Sequence, residues 1–254
     1  MAIVTPASIG NEPPPGAADA GRAPRVSRGL AGLTVVSGLA SVVLYVAGAL
    51  MVFDLPGANA TPERVAAYVH DRHALLLIAS YVWGLAITAN LAVVVAMYEV
   101  LRGSPPARVA SGMGMAAGVA LCTLEFVAFA VFATLVHGEA RDPAAARTIA
   151  DLFAVTLSYG GFASALWSAA VSFALLRAGW LRGWIAWLGF LGAAIHVVAA
   201  ASLERSGPFS PAGIAGYAGP AAVIAWIGAV AVAIAAVGGM PMPRGVRWLV
   251  QGVR

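Results

Sequence analysis

Six stretches of this chain, near residues 29–53, 75–101, 109–136, 152–176, 183–203 and 214–238, are almost continuously apolar for 21 residues or more. An α-helix rises about 1.5 Å per residue, so about 20 such residues cross the roughly 30 Å hydrocarbon core of a bilayer. Backbone polar groups in lipid must be satisfied within their own segment, which leaves the helix as the only form these runs can take there. The sequence therefore predicts an all-α, polytopic transmembrane bundle of six helices. Water-soluble domains are about 25% charged, whereas this chain is 10% charged and 61% hydrophobic. Six spans and short loops use nearly all of its 254 residues, leaving no room for a separate catalytic domain.

Residues 1–28 are rich in Pro, Ala and Gly and lack the charged-then-apolar order of a cleavable signal peptide. They are expected to form a disordered cytoplasmic tail, followed by a six-helix transmembrane domain over 29–238 and a basic cytoplasmic tail over 239–254. The orientation rests on arginine, the chain's only strongly basic residue type. Arg22, Arg25, Arg28, Arg102, Arg108, Arg177, Arg182, Arg244, Arg247 and Arg254 fall on the side of the termini, and only Arg64, Arg72, Arg141, Arg147 and Arg205 on the other. Positive residues in short loops stay on the cytoplasmic side, so both termini are expected in the cytoplasm of a cell, with the chain multi-pass in the inner membrane. Trp180, Trp184 and Trp187 beside Arg177 and Arg182 suit the interface there. A strong Ala, Gly and Arg bias without lysine suggests a bacterial source.

Thr61-Pro62, Asp142-Pro143 and Ser210-Pro211 each pair a helix-capping residue type with proline at the first helical position. Each is expected to start a helical turn in a loop opposite the termini, giving three helical hairpins. Val65, Tyr68 and Val69 share a face of the first such turn, so 62–72 should lie on the membrane surface or against the mouth of the bundle.

Polar residues inside the spans are the candidates for function. Glu125, past the middle of the third span, must face the interior, either as a protonated acid hydrogen-bonded to a neighbouring helix or as a paired carboxylate. His196 lies at a similar depth in the fifth span and is the expected partner. Such a pair would relay protons or bind a cation, while the plainer alternative is a neutral imidazole bonded to a carbonyl. Asn90 sits near the middle of the second span. Ser164, Ser168 and Ser172 repeat every four residues on one face of the fourth, and Gly114 and Gly118 make a GxxxG pair in the third. These small residues are expected to pack helices together. His70, His73 and His137 fall in or beside the loops opposite the termini, and the first two share an i, i+3 spacing that could hold a metal ion. No phosphate-binding loop, nucleophile elbow or zinc-protease motif occurs, and no cofactor is expected. The single cysteine, Cys122, rules out an intramolecular disulfide.

Pro62-Glu-Arg-Val-Ala-Ala-Tyr-Val69, the stretch Leu175-Leu-Arg-Ala-Gly-Trp-Leu-Arg-Gly-Trp-Ile-Ala-Trp-Leu-Gly189 and Ala225-Trp-Ile-Gly228 resemble segments of a bacterial six-helix integral membrane family of the domain-of-unknown-function type. Leu181-Arg182-Gly183-Trp184 stands where that family's turn carries Leu-Pro-Arg-Trp. The resemblance covers roughly residues 30–240 and implies the topology but no activity.

Three functions follow as expectations. The first is a non-enzymatic small-molecule or proton-coupled transport or sensing unit centred on Glu125 and His196. The second is a structural or interaction subunit whose Ser and Gly faces bind partner helices or a second copy. The third is a haem- or metal-dependent redox protein using the histidines. The expected surroundings are the lipid bilayer, with no nucleic acid.

Overall fold

The computed structural model describes residues 26–57, 59–138, 142–179, 183–201 and 214–237, and among them the only regular structure is helical. Seven α-helices run in order: α1 (Arg28–Met51), α2 (Pro62–Asp71), α3 (His73–Leu101), α4 (Arg108–His137), α5 (Pro143–Ala178), α6 (Gly183–Ala201) and α7 (Ile214–Val237). All but α2 are long and apolar enough to cross a membrane. A short 3₁₀ turn, Pro105–Ala107, joins α3 to α4.

Local chemistry sets the helix ends. Ser27 Oγ accepts from the Leu30 amide at 3.2 Å to start α1, Thr61 Oγ1 from Arg64 at 3.3 Å to start α2, and Asp142 Oδ1 from Ala144 at 3.0 Å to start α5. The Thr61-Pro62 and Asp142-Pro143 pairs thus begin helices as expected, while Ser210-Pro211 lies outside the described residues. Gly179 ends α5 at φ +69°, a left-handed conformation that costs glycine nothing. The fourth span differs from expectation. It starts at Pro143 rather than near 152 and runs unbroken for 36 residues, about 54 Å, so the Pro-started turn is the end of the span and not a separate surface helix.

Each span packs on the spans before and after it in sequence, and α7 packs back onto α1. The six therefore close into a ring in the order α1, α3, α4, α5, α6, α7. Val36, Val43 and Leu50 of α1, Leu166 and Phe173 of α5, and Trp187 and Leu191 of α6 are exposed, as expected of helices that meet lipid tails.

Inside the ring are two apolar clusters. One gathers Val94 and Met97 of α3, Leu121 of α4, Trp167 and Val171 of α5, Ile185 of α6, and Trp226 and Ile234 of α7. Trp167 and Trp226 meet edge to face at 5.4 Å at its centre, an arrangement worth about 0.5–1.5 kcal/mol beyond area burial. The other lies toward α2 and contains Val65, Val69, Trp83, Ile87, Phe129, Phe132 and Phe153. Here α2 turns Val65 and Val69 inward and caps the end of the bundle, packing mainly on α5.

Candidate functional site at the seam between the two apolar clusters

Buried positions on α4 recur as Gly114, Gly118, Leu121, Cys122, Ala128, Phe129 and Phe132, a stripe facing the ring interior. Glu125 falls on that stripe, three residues after Cys122, so helical periodicity turns its carboxyl inward, and the residue is half-buried. The Tyr45 hydroxyl of α1 donates to Glu125 Oε2 at 2.5 Å, the short end of the range for a hydroxyl bonded to a carboxylate. Because α1 and α4 lie on either side of α3, this bond crosses between spans that are not neighbours in the ring.

Asn90 of α3 joins the pair. Its side chain is 2% exposed, its Nδ2 donates to Cys122 Sγ at 3.8 Å, and it lies beside the Tyr45 hydroxyl. Tyr45, Asn90, Cys122 and Glu125 thus bring four polar groups from three consecutive spans to one level. That level is a seam: Ile87 and Phe129 belong to the cluster nearer α2, and Val94 and Leu121 to the other. One polar atom here is not satisfied by the protein, and one acid has no counter-charge. Asn90 Oδ1 is buried without a hydrogen-bond partner, and among the described residues no cationic side chain pairs with Glu125.

His196 is not the partner of Glu125. Its Nδ1 lies 3.2 Å from the Gly192 carbonyl of its own helix, and its ring lies flat against Gly219 of α7, where an added methyl would stand 3.4 Å from three ring atoms. The expected similarity of depth does hold. Gly160 of α5 meets Leu121 and Leu124 of α4, while the adjacent Gly161 meets the His196 carbonyl and Ala200 of α6. Glu125 and His196 share a level but lie on opposite flanks of α5. The plainer reading of His196, a ring bonded to a carbonyl, matches this geometry.

The small-residue faces are used within the chain. Ser164, Ser168 and Ser172 are all buried, and Ser168 donates to the Ser164 carbonyl at 2.8 Å. A methyl on Gly114 would stand 2.8 Å from a Val171 methyl, and one on Gly118 would stand 2.7 Å from both Val94 methyls. These contacts bind α4 to α5 and α3.

At the α2 end the histidines do not converge. The helix breaks at Arg72 (φ −114°, ψ 16°), so His70 lies in the last turn of α2 while His73 starts α3, and the expected i, i+3 pairing on one helix does not form. His137 is exposed at the end of α4, and no metal-binding group of three His, Cys, Asp or Glu side chains occurs among the described residues. The end is fastened by arginines instead. Arg72 forms a two-point ion pair with Asp54, at 2.7 and 2.5 Å, and stacks over the Tyr68 ring, whose hydroxyl donates to Asp54 at 3.1 Å. Arg147 pairs with Asp151 at 2.6 Å and donates to the Ala60 carbonyl at 3.1 Å, tying α5 to the loop before α2.

Sequence reasoning singled out Glu125 and Asn90 and missed Tyr45. The available signal was weak: a tyrosine six residues before the end of a span reads equally as an interfacial aromatic. Comparison with family models, with curated proteins and with solved structures finds no match to this chain.

Proposed function

We propose that this protein is a non-enzymatic, proton-linked membrane unit, acting in transport or sensing, with Glu125 as its proton-carrying group. The observation that carries the reading is the Tyr45–Glu125 hydrogen bond, set at an interior seam with Asn90 and Cys122 and without a cationic side chain among the described residues. A carboxylate in such surroundings costs several kcal/mol unless its charge is balanced. When the seam is closed to water, a proton is the simplest balance. A group that gains and loses a proton while bonded across α3 couples that event to the spacing of α1 and α4. Two-state movement of such packed elements is what transport and sensing both require.

The alternative of a subunit built to bind partner helices through its Ser and Gly faces has less support, because Ser164, Ser168, Ser172, Gly114 and Gly118 are occupied inside the ring. The arginine asymmetry supports cytoplasmic termini and an inner-membrane location, which reporter fusions at each loop would check. The decisive experiment is infrared difference spectroscopy of the protein in lipid, comparing native chain with Glu125→Gln across pH. A carboxyl band assigned to Glu125 that appears and disappears with pH is the expected result. A band that ignores pH, together with unchanged proton uptake in liposomes after Glu125→Gln, would refute the reading.

A further inference from the structure

The packing of α1 on α3 fixes an antiparallel register. Gly38 of α1 lies opposite Val93 of α3, where an added methyl would stand 4.0 Å from a valine methyl. Near its other end, Gly48 lies opposite the Trp83 indole, at 2.5 Å by the same measure. Three residues on from Gly38 and three back from Val93, the register brings Ser41 level with Asn90. Both are interior, at 0% and 2% exposure. Ser41 Oγ and Asn90 Oδ1 are each buried without a hydrogen-bond partner in the protein.

A polar group left unsatisfied in an apolar interior is costly, and here two lie at one level on adjacent helices. One water cures both, accepting from the Ser41 hydroxyl and donating to Asn90 Oδ1, as buried waters commonly do. Ser41 also belongs to a line of hydroxyls. Thr34, Ser37, Ser41 and Tyr45 follow one another at spacings of three or four on one side of α1, and the first three are buried. Thr34 and Ser37 donate to carbonyls of their own helix, at 2.8 and 2.6 Å, which sets Ser41 apart as the buried hydroxyl of this line that has no partner among the described residues. Asn90 is independent of this line, belongs to another helix and carries its own unmatched atom.

We propose that a water bound between Ser41 and Asn90 forms the inner end of a proton route, joining the Ser41 hydroxyl through Tyr45 to Glu125. The route rests on the proton-linked reading of Glu125. In each transfer an O–H bond forms at one oxygen as the next O–H bond breaks. A proton reaching the bound water passes to the Tyr45 oxygen, and the tyrosine's own hydroxyl proton passes to Glu125 Oε2. Every relay oxygen ends neutral and nothing is oxidised. Asn90 orients the water but does not relay, because its amide would have to pass through an imidic acid. The groups facing Glu125 are the Tyr45 phenol from α1 and the Cys122 thiol of α4 itself. Neutral Asn90 comes from α3, and α5, packed here through Gly160, presents no charged side chain among the described residues.

The test follows the Glu125 carboxyl band in lipid by time-resolved infrared spectroscopy after a pH jump. Ser41→Ala should slow its protonation by roughly 100-fold, the contribution of one positioned transfer group, while leaving its final titration unchanged. Ser41→Thr, which keeps a hydroxyl, should restore the native rate. A water O–H band that shifts in oxygen-18 water should vanish in both Ser41→Ala and Asn90→Leu. A Glu125 band that responds at the native rate in Ser41→Ala, with the water band intact, overturns the route and leaves the proton-linked function standing. A native Glu125 band that ignores pH overturns both.

Discussion

Replacing Tyr45 with Phe keeps the ring in place and deletes only the hydroxyl that reaches Glu125. Side-chain hydrogen bonds between membrane helices average about 0.6 kcal/mol with a maximum near 1.7, because the unfolded chain in lipid also finds partners. This bond sits at the strong end for two reasons: its 2.5 Å length, and an acceptor that takes no other hydrogen bond from a described residue. Bonds to an ionised partner are roughly twice as strong as neutral ones. A coupling of about 1–2 kcal/mol between Tyr45 and Glu125 is the expected magnitude. The single substitutions will not reveal it cleanly. Glu125→Leu also removes a desolvated acid from the seam and has a stabilising component of its own. A double-mutant cycle of Tyr45→Phe with Glu125→Leu cancels that part. Reversible unfolding in mixed detergent micelles or bicelles supplies the four free energies. A coupling below about 0.3 kcal/mol, the level at which independent sites add, would refute the claim that this bond ties α1 to α4.

Three further outcomes check other parts of the structure. Gly118→Ala should destabilise the fold by about 1–3 kcal/mol through overpacking against Val94 and Trp167, whereas Gly112→Ala, with nothing within 4 Å, should be neutral or slightly stabilising in the same unfolding assay. Burial, followed by the bonded Asp54 carboxylate, pushes the Tyr68 phenol up to about 12. The folded state therefore holds that proton more tightly than the unfolded chain. Its contribution is complete below pH about 10 and is lost as pH rises toward about 12, a slope that Tyr68→Phe should flatten in a pH series of unfolding midpoints. Cys122, 2% exposed, should react with a maleimide no faster than the protein unfolds, and rapid labelling of the native state in lipid would show the seam open to bulky reagents.

The six spans were legible because the hydrophobic run length that crosses a bilayer is nearly independent of tertiary context. The start of α5 was not, because Arg147 and Asp151 make its first turns resemble a loop, and only their pairing with each other and with the Ala60 carbonyl makes them helix. Glu125 and Asn90 stood out as polar side chains in apolar runs. The choice of His196 as partner failed for a geometrical reason: position along a span fixes depth, but which flank of the ring a side chain faces depends on helix order, and α5 stands between α4 and α6. Tyr45 and Ser41 were hidden by their chemistry. A tyrosine body is apolar, and a serine in a membrane helix usually bonds to its own backbone, as Ser37 does, so only the partner helix reveals one that does not. The pairing of His70 with His73 assumed a helix that Arg72 interrupts.

The ring closes only where α7 meets α1, and that contact has a consequence for how the protein is made. Spans emerge from the ribosome in order, so α1 must wait in the bilayer through the synthesis of five more before its last neighbour arrives. During that interval the face carrying Gly38, which Ala231 and Ile227 later cover, is turned toward lipid or toward whatever helper escorts the nascent chain. Lipid tails compete poorly for so small and polar a surface. The arrival of the final span is therefore the step at which an assembly intermediate becomes a sealed protein. Substitutions that enlarge Gly38 should leave early spans inserted but let quality-control proteases see an unfinished ring.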